Sequence, residues 1–342
     1  MTGKPKKNKT SPVRMKDIAS ELNISVMTVS KVLRNHSDIS EATRERVLKR
    51  VRELNFRPSW VARSLVSRRS YVIGLVVPDL MHSFFAEIAK AVSQAIRAKG
   101  YTAFISNSEE NADIEREEIE FFLARQVDGL IIAPCQPPGR TEIFETIEES
   151  GVPFILIDRI LPGVRQNYVC VDDEAIGKMA TEHLVKRGCR RIAHIQGHEV
   201  STAAGRLNGY RKILLRHGLE VRNDYVVPGG FQDSDGYEAM RRLLLVKPRP
   251  DGVFCYNDPV AGGAMNAILE TGLSIPGDIA VIGSGNVHYS NLFRVPLSTI
   301  DQNSSVLGEK AAELLLELMD SNGEHHPTTI LLPPRLILRE SA

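Results

Sequence analysis

From Tyr71 onward the chain repeats one alternation: a short apolar run, an amphipathic stretch, then another run. The runs are YVIGLVVP, YTAFIS, VDGLIIAP, VPFILID, RIAHIQG, DGVFCY and IAVIGS. Runs this short and this apolar suit strands buried on both faces, as parallel strands are. Between them lie segments of helical period: Phe84–Lys99, Ile114–Ala124, Glu174–Arg187, Leu207–His217 and Ala261–Thr271. Strands alternating with such helices predict an α/β fold with a doubly wound parallel sheet. The alternation fills about 270 residues, enough for two such lobes, and the 342-residue chain exceeds the size at which one core stops growing.

Composition excludes other classes. Hydrophobic residues at 42% and charged residues at 25% are globular values, which argues against a mostly disordered chain. No stretch approaches the roughly 18 consecutive apolar residues of a membrane span. The first residues, MTGKPKKNKTSPVR, are basic without an apolar run behind them, so no signal peptide is expected. Cys135, Cys170, Cys189 and Cys255 lie far apart, a pattern that suits free thiols in the cytoplasm and gives no metal site.

The net charge of +1 conceals an asymmetry. Residues 1–70 hold 17 Lys and Arg against 6 Asp and Glu, while the remainder carries a charge of −10. The basic end is built to meet a polyanion. Its pattern is specific: Met15–Leu22 places Ile18, Ala19 and Leu22 on one helical face, and Asn23 tolerates the left-handed conformation of a sharp helix end. Ser25 offers an N-cap for a second helix, Val26–Leu33, with Val29, Val32 and Leu33 apolar. Small Ala19 lets the helices approach and Ile24 plugs the turn. Ser40 caps a third helix, Glu41–Leu54, with Ala42, Val47, Val51 and Leu54 apolar. Two short helices joined by three or four residues form a helix-turn-helix, whose second helix fits the major groove. The candidate DNA-contacting face begins at Ser25. On it, Lys31 can donate to guanine, Val26 and Met27 can touch a thymine methyl, and Thr28, Ser30 and the Ser40 cap suit phosphate oxygens.

Pro58 ends the third helix, and the chain continues SWVARSLVSRRSYVIG. Residues 15–66 resemble the headpiece and hinge of LacI-family transcription regulators, through DIA at 17–19, SVMTVSKVL at 25–33 and PSWVARSL at 58–65. The resemblance continues through IGLVVPD at 73–79, DGLI at 128–131, GRLNGY at 205–210 and PLSTIDQ at 296–302. It implies four segments: a basic disordered tail 1–14, an all-α helix-turn-helix headpiece 15–58, a hinge 59–71 and a two-lobed effector domain 72–342. The lobes would be of the periplasmic-binding-protein-like type, 72–169 with 302–330 and 170–300 with 331–340. By the same resemblance 59–66 would fold as a hinge helix when two subunits sit on DNA. Leu65 would then be the wedge in the minor groove, with Ala62 packing hinge against hinge. The chain departs from the family at Val66, where relatives often carry a basic residue that touches the minor groove; that contact is lost, and Arg63 or Arg68 is expected to replace part of it.

Polar and aromatic residues follow the strands, where a cleft between lobes opens. They are Asp79, His82, Phe84 and Phe85, then Asp158, then His198 and Arg206, then Asn257 and Asp258. The resemblance makes Arg206 the grip on effector oxygens, with Phe84, Asp158, Asn257 and Gln302 as lining positions. Carboxylates, amides and a stacking ring suit a polyhydroxylated ligand, and a sugar or sugar derivative is expected. Strand-end acidic residues also cap helices, and Asp173 and Asp258 read as caps. Where relatives carry an aspartate after the IAVIG strand, this chain has Gly285. Either Asn286 or His288 takes over its bonding, or the ligand is differently shaped.

An enzyme needs a reactive group with partners in reach, and GxSxG, GxxxxGK[ST] and HExxH patterns are absent from the sequence. A transport binding protein of the same fold would have no use for residues 15–66. The expectation is therefore a cytoplasmic, homodimeric transcription regulator, a repressor without cofactor, that reads a pseudo-palindromic DNA operator and answers to a carbohydrate effector.

Overall fold

The structure, a computed structural model, describes residues 13–33, 36–56, 69–137, 139–164, 166–321 and 327–342. It forms two compact units, Met1–Ser70 and Tyr71–Ala342. The expected hinge positions Ala62, Arg63, Leu65, Val66 and Arg68 lie outside the described residues.

In the first unit α1 is Met15–Leu22, α2 Val26–Leu33 and α3 Glu41–Glu53. Asn23 does end α1 in the left-handed region, at φ 53°, and the Ile24 N–H folds back onto the Ala19 carbonyl. Ile18, Ala19, Val29, Val32, Val47 and Phe56 make the core, with Leu22, Ile24, Leu33, Val51 and Leu54 packed around it. Three details differ from the expectation. Helix α3 stops at Glu53 with Leu54 as its cap, Ala42 is exposed because the buried stripe starts only at Val47, and Phe56 closes the core from beyond the helix. Asn55, at φ 47°, makes the turn that sends Phe56 inward.

The second unit contains two six-stranded sheets. The first runs β11-β5-β4-β3-β1-β2 and is parallel throughout; its strands are β1 Val72–Val77, β2 Thr102–Asn107, β3 Gly129–Ile132, β4 Phe154–Ile157, β5 Asn167–Val171 and β11 Thr329–Leu332. The second runs β12-β10-β9-β8-β6-β7, with β6 Ile192–Gln196, β7 Val226–Pro228, β8 Gly252–Cys255, β9 Ala280–Gly285, β10 Ser298–Asp301 and β12 Arg335–Ile337. Only β12 is antiparallel among these strands, on the edge. Strands β1, β3, β4, β5, β8 and β9 are buried along their whole length, as runs without polar alternation require.

Helices α4 Ser83–Arg97, α5 Ala112–Ala124, α6 Glu142–Ser150 and α11 Ser304–Asp320 belong to the first sheet's lobe. Helices α7 Asp173–Lys186, α8 Ser201–Arg216, α9 Asp233–Leu245 and α10 Asp258–Glu270 belong to the second. The chain crosses between lobes three times, after β5, after β10 and between β11 and β12. The expected lobe boundaries fall short of these crossings. Cys170 and Val171 still pair with Leu331 and Leu332, so the ladder carries both strands past 169 and 330.

Helix α8 begins six residues before the periodic signal at Leu207, because STAAGR is too small and polar to show a stripe. Arg206 therefore rides on a helix rather than in a loop. That helix lies backbone to backbone on α7: a Cβ on Gly177 would come 2.0 Å from the Arg206 carbonyl oxygen, and one on Gly209 2.2 Å from that of Glu174.

Candidate functional site

On α2 the expected contact face is presented. Met27 is 67% exposed and Val26 44%. The Ser25 hydroxyl caps α2, accepting the Thr28 N–H at 3.0 Å, and Ser40 caps α3 by accepting from Thr43 N–H at 3.4 Å. Both hydroxyls thus hold helix starts in place. Ser30 is half-buried on the same helix. Lys31 forms an ion pair with Asp38, from the loop before α3. Arg46 donates to the Leu22 carbonyl at 3.1 Å, and Arg50 pairs with Glu21, so α3 grips α1 from outside the core.

In the second unit, the carboxyl ends of the strands from both lobes enclose a chamber. Its lining includes Asp79, His82, Phe84, Asp158, Arg206, Asn257 and Gln302, seven of the nine expected ligand positions. It also includes four residues the sequence reading did not single out: Glu110, Arg159, Phe231 and Tyr256. The free space is about 30 Å³, room for about one water molecule.

The second lobe builds its half around Arg206, which is 3% exposed. Its Nε donates to Asp173 Oδ1 at 2.9 Å, one terminal nitrogen to the Tyr256 carbonyl at 2.6 Å and the other to Gln302 Oε1 at 3.1 Å. Gln302 is held in turn by donating to Ser284 Oγ at 3.0 Å. Burial pushes the Asp173 carboxyl up to about 7 despite the guanidinium beside it. Asp173 is thus the partner of Arg206 and not the expected cap; Asp172 caps α7, accepting from Ala175 N–H at 2.8 Å. The same displacement occurs at α10. Asn257 is its cap, accepting from Val260 N–H at 2.8 Å while donating to the Phe231 carbonyl at 3.0 Å. Asp258 instead binds Val287 N–H and the Thr299 hydroxyl, and burial lifts it to about 6.

In the first lobe Asp158 stands at φ 67°, an uncommon conformation for a residue with a side chain, and burial raises its carboxyl above the usual range. The neighbouring Arg159, 3% exposed, forms a double hydrogen bond with Glu110, at 2.7 and 2.6 Å, and lies 5.4 Å from the Phe231 ring centre of the other lobe. Its Nε is buried and has no hydrogen-bond partner among the described residues; Asp158 Oδ2, 3.8 Å away, is too distant. His82 caps α4, its Nδ1 accepting from Phe84 N–H, and burial holds its ring neutral, with a pKa of about 4. Asp79 joins the lobes by accepting from Gln232 Nε2 at 2.9 Å.

Two expected positions lie elsewhere. The His198 ring lies 4.7 Å from that of Phe231, tilted by 57°, and lines an adjoining pocket of about 450 Å³. Asn286 is not among the chamber's lining residues: Arg339 donates to its side-chain oxygen at 2.7 Å. His288, the other candidate to replace the missing aspartate, is exposed beside Glu87. Arg159 was open to inference as a charge directly after a strand-end aspartate, whereas Phe231 follows a strand too short to signal itself. Among the described residues no helix is long and apolar enough to cross a membrane and no cluster could hold a metal. The four cysteines are free, three of them buried.

A family model for periplasmic binding proteins and the sugar-binding domain of the LacI family matches residues 70–340. A second, for bacterial regulatory proteins of the lacI family, matches residues 14–59. The chain is 33% identical over 331 residues to the HTH-type transcriptional repressor PurR of Histophilus somni (strain 129Pt), covering 96% of this chain and 98% of that one. Among solved structures it resembles the Lac repressor dimer bound to operator and the anti-inducer ONPF, with TM-score 0.85, 28% identity and coverage of 97% and 99%. It also resembles a complex of the transcriptional regulator CelR with cellobiose, with TM-score 0.73, 27% identity and coverage of 96% and 100%.

Proposed function

The chain belongs to the LacI family of bacterial regulatory proteins, and from that premise we propose a cytoplasmic, homodimeric repressor controlled by a small carbohydrate. Two headpieces read the halves of a pseudo-palindromic operator, because a two-fold dimer requires matching half-sites. Val26, Met27 and Lys31 meet base edges, while the starts of α2 and α3, fastened by Ser25 and Ser40, present backbone N–H groups and the Thr28 and Ser30 hydroxyls to phosphates. Leu65 and Ala62 keep the wedge and packing roles that the family resemblance implies.

The observation that carries the effector class is the chamber's composition. Acceptors (half-buried Asp79 and buried Asp158) and buried donors (Arg159, Arg206) stand beside Phe84, Phe231 and Tyr256. Such groups recognise hydroxyls along one edge of a sugar and stack on its carbon face. The relative described with cellobiose is consistent with that class. Lobe opening and closure then shift the relation between the two hinges, coupling effector and operator affinity by roughly 1–3 kcal/mol.

The test is selection from random double-stranded DNA with the purified full chain, followed by anisotropy titration of the winner across a salt series and a sugar panel. A palindromic winner, a steep salt slope and a sugar-dependent shift are expected. Leu65→Ala should weaken operator binding sharply without altering sugar affinity. No enriched sequence, with or without sugars, refutes the regulator reading.

A further inference from the structure

Helix α2 exposes only two of its eight residues, Val26 and Met27; the other six are half-buried or buried. Both stand in its first turn, the part of a recognition helix that meets base edges. The polar groups around them are already engaged. Ser25 Oγ accepts the Thr28 N–H at 3.0 Å and lies 2.9 Å from Thr28 Oγ1, so the two hydroxyls share a hydrogen bond. Asp38 balances the charge of Lys31 one turn further along the helix, and Ser30 is half-buried. The surface that this turn offers to a partner is methyl and thioether.

In the major groove the base pairs differ in their donors, their acceptors and one apolar feature, the C5 methyl of thymine. A valine side chain has no hydrogen-bonding atom, and the methionine sulfur is at most a weak acceptor. Neither can tell the thymine O4 from the cytosine N4 by a hydrogen bond. Both gain by covering a methyl, which strengthens binding about fourfold for each one removed from water. A base edge that presents only polar atoms at the same place loses its water with nothing to replace it. Cytosine methylated at C5 carries the same methyl at the same ring position as thymine.

We propose that the headpiece reads its operator through pyrimidine C5 methyl groups. Val26 and Met27 are the specificity-determining residues, each covering one such methyl in every half-site, and 5-methylcytosine serves them as thymine does. Lys31, whose charge Asp38 balances, adds little to the choice of base. Operator occupancy therefore answers to C5 methylation of cytosine at those bases. The inference rests on the operator reading above and deepens it by naming the groove feature that is read and the DNA modification that governs it.

The test titrates the selected operator against the full chain by anisotropy, with deoxyuridine replacing each thymine in turn. Deoxyuridine keeps every hydrogen-bonding group and lacks only the methyl. One or two thymines in each half-site should cost roughly three- to fivefold when replaced, and roughly 10–20-fold when both half-sites are changed together. Cytosine at those bases should also weaken binding, and 5-methylcytosine should recover at least about threefold of the loss. Val26 and Met27 are exposed, so Val26→Ser and Met27→Ser leave the core intact, as circular dichroism will confirm. Each should abolish the deoxyuridine penalty at one base, whereas Met27→Leu should keep it. Full affinity for deoxyuridine operators, half-sites that need no thymine, or 5-methylcytosine no better than cytosine overturns the methyl reading while the operator stands. A penalty unchanged in both serine variants overturns the assignment to Val26 and Met27. If selection enriches no sequence, the regulator reading falls and this inference falls with it.

Discussion

Arg206→Met removes a buried cation from its partners while roughly preserving volume. The guanidinium satisfies Asp173, the Tyr256 carbonyl and Gln302, all within 3.1 Å and all inside the second lobe. Deleting one member of a buried ion pair costs about 3–5 kcal/mol, mainly because the remaining charge is stranded. For a unit of this size that corresponds to a melting-point fall of roughly 5–15 °C, followed by circular dichroism at 222 nm. The sign of the pH dependence comes from Asp173. Its folded pKa of about 7 lies above the ordinary 3.8, so the folded chain holds this proton more tightly than the unfolded one. Stability from this group is therefore greatest below pH 4 and is lost as pH rises toward 7, by about 4 kcal/mol in all. At pH 5 Asp173 is protonated and the ion pair already weakened, so the Arg206→Met deficit should be smaller there than at pH 8. Adding Asp173→Leu should recover most of the loss, because no carboxylate is left stranded. A melting point within a degree of wild type at pH 8, or a double variant no more stable than the single, would refute the reasoning.

Three other outcomes are expected. Gly209→Ala forces α7 and α8 apart, since the new Cβ would lie 2.2 Å from the Glu174 carbonyl and 2.6 Å from Lys178 N; a loss of roughly 1–3 kcal/mol should appear as a lower melting point. Asn23→Ala places an ordinary side chain at φ 53°, costing about 1–2 kcal/mol and loosening the headpiece in hydrogen exchange, whereas Asn23→Gly should be tolerated; equal protection in all three proteins would remove the strain argument. Asp38→Asn releases Lys31 from its ion pair, so DNA binding should tighten and its salt dependence steepen in anisotropy titrations; weaker binding would mean that Asp38 positions Lys31 for DNA instead.

The reading along the chain succeeded where structure follows from neighbours a few residues apart. Most uninterrupted apolar runs became buried strands, Asn23 became the left-handed end of α1, and Ser25 and Ser40 became caps; the run YTAFIS did not, because β2 lies on the sheet's edge and leaves Phe104 and Ile105 exposed. Each of these depends on side-chain period or on hydrogen bonds reaching three or four residues. The same reading failed by a single residue at α7 and α10, where Asp172 and Asn257 cap the helices and leave Asp173 and Asp258 for tertiary work. Adjacent polar residues are interchangeable candidates for a cap; packing chooses between them.

The chamber depends on groups far apart in the chain. Arg159 meets Glu110 across 49 residues, Arg206 meets Gln302 across 96, and Asp79 meets Gln232 across 153. Their types were visible in advance, since charged and amide side chains at strand ends mark a cleft. Their pairing was not, and neither was the withdrawal of Asn286 to Arg339 or the division of the cleft into compartments of 30 and 450 Å³. Arg159 with Glu110 and Asn286 with Arg339 pair inside one lobe by the packing of its loops, whereas Asp79 with Gln232 pairs only where the lobes meet. Periodicity and turn chemistry are short-ranged and specify each strand and helix, whereas the contacts that make the site exist only once each sheet has brought its strands side by side and, for Asp79 with Gln232, once the two lobes meet.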